Sequence, residues 1–190
     1  MSLKEPIHIT PLIKDCLLGD SKASLALYNL YNKAMYNIAW RIVRDDQEAE
    51  DVMQEAFIKA FEKLSQFSGQ VSFGAWLKKI VINKAILAYR KQKKENTSSI
   101  EEEHYIGPLA ADKAYHEAKT KQKAAMILET IDHLKENYRL SLTLHLIEGL
   151  THEEVAELLD ISNSNCRTTF SRAKEKLRNT LELNPLWKTL

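Results

Sequence analysis

Five cationic side chains, Arg167, Arg172, Lys174, Lys176 and Arg178, lie within twelve residues, with Glu175 as the only acid among them. Guanidinium and ammonium groups at this density suit pairing with phosphate oxygens. A second basic run holds Lys84, Arg90, Lys91, Lys93 and Lys94, with no acid between Lys84 and Lys94. Against these stands an acidic stretch, in which Asp45, Asp46, Glu48, Glu50, Asp51, Glu55 and Glu62 face only Lys59 and Lys63. The whole chain carries 27 basic and 26 acidic residues, so any nucleic-acid role rests on segregated charge rather than bulk basicity. Catalytic chemistry is poorly supported, because no nucleophile, base and orienting group recur in an interpretable arrangement. Cys16 and Cys166 stand far apart without a CxxC pair, and the six histidines form neither HExxH nor a zinc-finger spacing. No structural metal and no cofactor is expected.

These side chains need elements to hold them, and the composition says which kind. With 44% apolar and 28% charged residues but only 5 Gly and 4 Pro in 190, the sequence is that of a globular protein. No stretch approaches the roughly 20 apolar residues that span a bilayer, and none has signal-peptide form. A cytoplasmic, reducing location without membrane insertion is expected, with both thiols as packing residues.

The dominant period is helical. Ala49, Val52, Met53, Ala56, Phe57, Ala60, Phe61 and Leu64 recur at i, i+3, i+4 and wind one apolar stripe down a helix whose other face is acidic. Before it, Ser21 is positioned to cap a long helix reaching Arg44, with Tyr28, Tyr31, Met35, Ile38 and Ile42 on one face. A shorter helix precedes that one, with Thr10 and Pro11 in N-cap and N1 roles and a close near Gly19. Ser72 is placed to cap the helix that carries Phe73, Trp76, Leu77 and Ile80 and then turns basic. From Glu95 the periodicity lapses into polar, Gly and Pro residues, which is linker composition. No run reads as a strand. The fold class is therefore all-α: two helical domains joined by a flexible linker.

In the second half, Thr151 and Glu154 have capping-box spacing and open a short helix that ends near Asp160. A tight turn and the basic helix follow, the sequence form of a helix-turn-helix. Asp160 stands where many such turns use Gly, and Asp tolerates a left-handed backbone. An ordinary helical hairpin with a solvated basic face is the competing reading. For the first basic run, nearby Phe67, Phe73 and Trp76 supply the aromatic and cationic mix that single strands favour. Core packing ranks above base stacking for Trp76.

The order of these parts resembles a known family. Residues 46–61 are similar to the core-polymerase-binding segment of bacterial sigma factors of the extracytoplasmic-function type, and residues 73–83 resemble their promoter-melting helix. Residues 148–162, with Arg167 and residues 171–174, resemble their C-terminal helix-turn-helix. The resemblance runs from about Leu12 to Leu181 with the family's linker between the blocks. It implies a polymerase-binding and minus-ten domain over 10–94, a linker over 95–112, and a minus-thirty-five domain over 113–183. It implies no catalysis by the chain itself. Partners implied are core RNA polymerase, promoter DNA as duplex and as melted strand, and an anti-sigma factor.

The family's functional positions carry over residue by residue. Asp51, Gln54, Glu55 and Phe57 match polymerase docking. Phe67, Ser68, Gly69, Gln70, Val71 and Ser72 match the loop that captures an unstacked base, and Asn83, Lys84 and Arg90 the path of the minus-ten strand. His145, Ser164, Asn165, Arg167, Thr168, Ser171 and Arg172 match positions at the minus-thirty-five groove. Leu87 replaces a commonly polar or acidic residue, His145 a common arginine, and Ser164-Asn165 a frequent Gly-Thr, so the promoter sequence does not transfer from relatives. An autonomous helix-turn-helix regulator with an N-terminal sensor or dimerisation domain is the alternative, and copurification with core polymerase separates the two.

Overall fold

The computed structural model describes residues 9–95, 115–184 and 187, and among them there is no strand. The chain divides into two compact units, Met1–Ser98 and Ser99–Leu190. The expected linker, apart from Glu95, lies outside the described residues.

The first unit holds α1 (Ile9–Leu17), α2 (Ser21–Val43), α3 (Asp46–Glu62) and α4 (Phe73–Glu95), with a single 3-10 turn at Leu64–Gln66. Helices α2, α3 and α4 pack pairwise, and α1 lies along α2. The stripe read from the sequence is the packed face of α3: Ala49, Val52, Met53, Ala56, Phe57, Ala60 and, just beyond the helix, Leu64 are all buried. Three of these are alanines with no exposed surface, which brings the α3 backbone close to its neighbours. Leu27, Met35 and Ile42 of α2 and Phe73, Leu77, Val81 and Ile86 of α4 fill the space. Burying one such side chain contributes about 1.5–3 kcal/mol.

Two helix starts differ from expectation. Asp20, not Ser21, caps α2, its carboxylate accepting from the backbone N–H groups of Lys22 at 2.7 Å and Ala23 at 3.4 Å. Ionised oxygen is the stronger acceptor and also favours the positive end of the helix dipole. Thr10 lies inside α1 rather than at its cap, since the helix already includes Ile9. The close near Gly19 has a left-handed residue at φ +85, with the Asp20 N–H donating to the Asp15 carbonyl at 3.0 Å.

The second unit holds α5 (Tyr115–Asp132), α6 (Glu136–Leu142), a π-helical segment at Thr143–Ile147, α7 (His152–Leu159) and α8 (Asn163–Leu183). Ile131, Leu142, Ala173, Leu177 and Leu181 form its buried core, flanked by Met126, Ile127, Tyr138, Phe170 and others. Leu140, Leu144 and Ile147 follow helical spacing, yet the last turn of this stretch widens. There the Glu148 N–H donates to the Thr143 carbonyl, five residues back, at 2.9 Å. Leu150 N–H then reaches the Leu144 carbonyl at 3.0 Å, closing the segment over Gly149, whose φ is +74.

Candidate nucleic-acid interface

The elbow between α7 and α8 is built from local chemistry. Thr151 Oγ1 accepts from the Glu154 N–H at 3.2 Å while a Glu154 carboxylate oxygen accepts from the Thr151 N–H at 2.9 Å, the reciprocal capping box expected. Asp160 ends α7 in the left-handed region at φ 55, ψ 48, and the Ile161 N–H donates to the Ala156 carbonyl at 3.0 Å. Ser162 then starts α8, its hydroxyl accepting from the Asn165 N–H at 3.1 Å. Buried Val155, Ala156 and Cys166 sit on the inner side. This turn leaves Ser164, Asn165, Arg167, Thr168, Ser171 and Arg172 exposed.

Those six residues are not alike. Ser164, Asn165, Thr168, Ser171 and Arg172 follow one helix face at i, i+4 and i+7 spacing. Arg167 lies on the flank, held by Asn163 and Glu153: its Nε donates to Asn163 Oδ1 at 3.0 Å and a terminal nitrogen to Glu153 Oε1 at 3.2 Å. Asn163 Nδ2 also donates to Glu153 Oε1, at 3.1 Å. Hydrogen bonds from Asn163, from its own backbone N–H and from Arg167 hold the Glu153 carboxyl down at about 2. Arg172 makes no hydrogen bond or ion pair among the described residues, so a pairing with Glu175 does not hold it.

His145 is the groove candidate that the structure turns inward. Its Nδ1 lies 3.0 Å from the Leu150 carbonyl and its Nε2 3.3 Å from His152 Nδ1 and 3.5 Å from Cys166 Sγ. A carbonyl only accepts, so Nδ1 carries the proton and Nε2 offers a lone pair to the other two. Cys166 Sγ and His152 Nδ1 are 3.9 Å apart. Phe170 flanks the imidazoles, with ring centroids 4.5 Å from His145 and 5.2 Å from His152. Burial, partly opposed by the bond to Leu150, lowers the His145 pKa, and burial raises that of the Cys166 thiol. The expectation of no metal-ligand spacing thus missed a set of three potential ligand atoms drawn from three segments. Separations of seven and fourteen residues carry no recognisable sequence signal.

In the first unit, exposed Asp51, Gln54 and Glu55 share the polar flank of α3 with Ile58, which is 60% exposed. Phe57, expected beside them as a docking residue, is only 3% exposed and packs on Tyr28 at 4.8 Å between centroids. It belongs to the core because it lies on the apolar stripe, four residues from Met53 and from Phe61. Glu55 also pairs with Lys84 of α4 at 2.6 Å, joining a docking candidate to a strand candidate.

The loop before α4 is anchored by half-buried Phe67, which packs on Phe73 and Trp76 at 5.8 and 5.3 Å between centroids. Beyond that anchor Ser68, Gly69, Gln70 and Val71 are exposed, and Gly69 adopts φ +72. Ser72 caps α4 as expected, accepting from the Ala75 N–H at 3.1 Å. Along α4, Lys79, Asn83, Leu87 and Arg90 follow one face, with Leu87 62% exposed. An apolar side chain thus interrupts the polar track that runs toward the basic end.

Comparison with known proteins resolves what these surfaces belong to. Residues 27–95 match the family model for Sigma-70 region 2, and residues 124–177 that for Sigma-70 region 4. Over 181 residues the chain is 30% identical to the RNA polymerase sigma-H factor of Pseudomonas aeruginosa, covering 90% of this chain and 92% of that one. The chain belongs to the extracytoplasmic-function RNA polymerase sigma factors. The sigma factor is also 28% identical over 187 residues to the ECF RNA polymerase sigma-E factor of Escherichia coli K12, covering 95% and 97% of the two chains. In fold it is similar to the sigma factor RpoE of Bartonella quintana, solved with the anti-sigma factor NepR. That likeness has a TM-score of 0.56 at 21% identity, over 84% of this chain and 96% of the other. As a sigma factor it binds core RNA polymerase and directs promoter-specific initiation, and the autonomous-regulator reading is not favoured. Sigma factors are in general not enzymes, and no helix among the described residues is long and apolar enough to cross a membrane.

Proposed function

We propose that the work divides between the two units over 10–94 and 113–183, with 95–112 as the tether. Asp51, Gln54 and Glu55 meet polymerase through the acidic flank of α3, with Ile58 adding an apolar contact. The loop over 67–72, exposed from Ser68 to Val71, receives an unstacked base of the minus-ten element, and Asn83, Lys84 and Arg90 follow the strand. Strand opening then costs no chemistry: a pocket that takes only the unpaired base favours the open state by differential affinity. Ser164, Asn165, Thr168, Ser171 and Arg172 meet the minus-thirty-five duplex, with Arg167 reaching a base edge once it leaves Glu153. Phosphodiester chemistry stays with polymerase, and the chain acts in the cytoplasm.

The observation that supports this reading is that both matched regions, in family order, present most of their candidate residues outward from a packed core, with Phe57, Phe67 and His145 as the inward exceptions. An anti-sigma partner fits the same surfaces, and the RpoE–NepR complex of a similar sigma factor supports one. Run-off transcription with core polymerase across genomic promoter fragments tests the proposal. The expected result is initiation at a subset of fragments sharing two spaced elements. Initiation without fragment preference overturns it.

A further inference from the structure

We infer that His145, His152 and Cys166 form a zinc site that clamps the elbow of the helix-turn-helix. The three ligands come from the π-helical segment, the first turn of α7 and the first turn of α8. Their atoms stand 3.3 Å apart for nitrogen to nitrogen, and 3.5 and 3.9 Å for nitrogen to sulfur. Zinc bonds of about 2.0–2.1 Å to nitrogen and 2.3 Å to sulfur, at tetrahedral angles, demand about 3.3 Å and about 3.6 Å. A trigonal planar ion would spread the nitrogens to about 3.6 Å. The existing side-chain positions therefore fit a tetrahedral ion with shifts of a few tenths of an ångström.

The surroundings fit as well. A metal-bound histidine characteristically donates its other N–H to a backbone carbonyl, which fixes the tautomer and aims the free lone pair. His145 does this through Leu150 at 3.0 Å, and the widened π turn is what brings its ring to the elbow. Two imidazoles and a thiolate match the borderline-soft character of Zn²⁺. Three protein ligands leave a fourth position for water or a small exogenous ligand. Binding forms one sulfur–metal and two nitrogen–metal bonds, sends the Cys166 thiol proton to solvent, moves the His152 ring proton from Nδ1 to Nε2 and transfers no electron. Because Cys166 lies between Asn165 and Arg167, the ion would pin the start of α8 against α7.

The competing arrangement is a metal-free hydrogen-bond cluster of the same three groups. Titration of the full chain, stripped with a chelator under reducing conditions, distinguishes them. Co²⁺ should bind once per chain, with the intense visible bands of a tetrahedral ion and a near-ultraviolet thiolate charge-transfer band, and Zn²⁺ should displace it. Cys16→Ser should leave both unchanged. Cys166→Ser should abolish the charge-transfer band, and it and His152→Gln should each weaken Zn²⁺ binding, read by competition with a chromophoric chelator, by more than about 10-fold. Circular dichroism of both variants checks that the helices persist. Two substituted ligands guard against one being structurally disabled. No saturable binding, a pale octahedral cobalt spectrum, or wild-type zinc affinity in both variants overturns the site. None of these readouts involves polymerase or promoter, so the inference stands or falls apart from the function proposed above.

Discussion

In the first unit the outward-facing residues of α3 and α4 stand on an interior of alanines, branched aliphatics and interlocking rings. In the second, an apolar core holds the later turns of α8, while its first turns set Cys166 and Phe170 against the imidazoles of His145 and His152. Both interiors fix a helix, but by different means. Close-packed apolar side chains resist any change in volume, since even one lost methylene is felt. A polar cluster resists rearrangement through directional bonds instead, and it responds to whatever binds or protonates its members. The first unit thus has a stiff, chemically inert support throughout, whereas the start of α8 in the second rests on one that chemistry can alter. The same contrast holds at the surface. Asp51 and Gln54 share an open flank with an exposed isoleucine, while Arg167 is held by Asn163 and Glu153.

The largest expected effect tests the stiffness of the first interior. Phe73 has no exposed surface and meets Tyr31, Phe67 and Trp76 at 5.5, 5.8 and 5.7 Å between centroids. Phe73→Ala should destabilise the first unit by about 3–5 kcal/mol. Val71→Ala, on the exposed loop two residues earlier, should change stability by less than about 0.5 kcal/mol. Urea denaturation followed by tryptophan fluorescence reads both, and equal losses would show that the loop and the ring cluster are one packed body.

Much of this contrast was legible in the sequence, and its gaps have physical causes. The apolar stripe of α3, the Thr151 capping box and the left-handed Asp160 follow from local rules, because period, cap and turn residues act over four or five positions. Phe57 carried two readings, the stripe from spacing and polymerase docking from the family resemblance, and its ring lies in the stripe. The α2 cap slipped by one residue because Asp20 and Ser21 are both good caps, and the carboxylate won. The His145, His152 and Cys166 set left no trace, since a π-helical turn and two later helices must assemble before those atoms meet. Likewise the Glu55–Lys84 pair, between residues on two helices, needs tertiary packing to exist.

The next effect concerns the second interface. Arg167→Ala should cost about 1–3 kcal/mol on the preferred duplex and relax discrimination at one or two base pairs, if its guanidinium makes a bidentate guanine contact. Arg172→Ala should weaken all duplexes alike and reduce the magnitude of the salt slope by about 0.9. Because Arg167 must first leave Glu153, Glu153→Gln should strengthen duplex binding while leaving the sequence preference intact. Isotherms on matched and single-mismatch duplexes at several salt concentrations separate these outcomes. Identical profiles for Arg167→Ala and Arg172→Ala would erase the division between flank and face.

Helix starts offer a matched pair across the two units. Ser72 and Ser162 each accept one backbone N–H at 3.1 Å, at the start of α4 and α8 respectively. Alanine at either should cost about 0.5–2 kcal/mol. At Ser162 the same change should also lower duplex affinity, because the first turn of α8 carries Ser164 and Asn165. Thermal melts with duplex titrations check both parts, and undiminished duplex binding by Ser162→Ala would mean that the elbow, not the cap, sets the angle of the helix.

The smallest effect on stability comes from Glu55 and Lys84, and it is informative for that reason. Their 2.6 Å pair is solvent-exposed, with the carboxylate 61% and the ammonium 34% accessible. Exposed ion pairs contribute only about 0–1 kcal/mol, since water screens the attraction and ordering two side chains has an entropic cost. Glu55→Gln should therefore leave the melting midpoint nearly unchanged. Its functional effects should run in opposite directions if, as proposed, Glu55 faces polymerase and Lys84 the melted strand. Loss of the acid should weaken binding to core polymerase, and the freed lysine should hold the melted strand more tightly. Asp51→Lys, with no pairing to Lys84, should weaken polymerase binding alone. Polymerase affinity and binding of a single-stranded minus-ten oligonucleotide are measured for both variants and for Lys84→Gln. If Glu55→Gln and Asp51→Lys give the same pattern on both ligands, the bridge does not couple the two surfaces, and α3 and α4 act independently at the promoter.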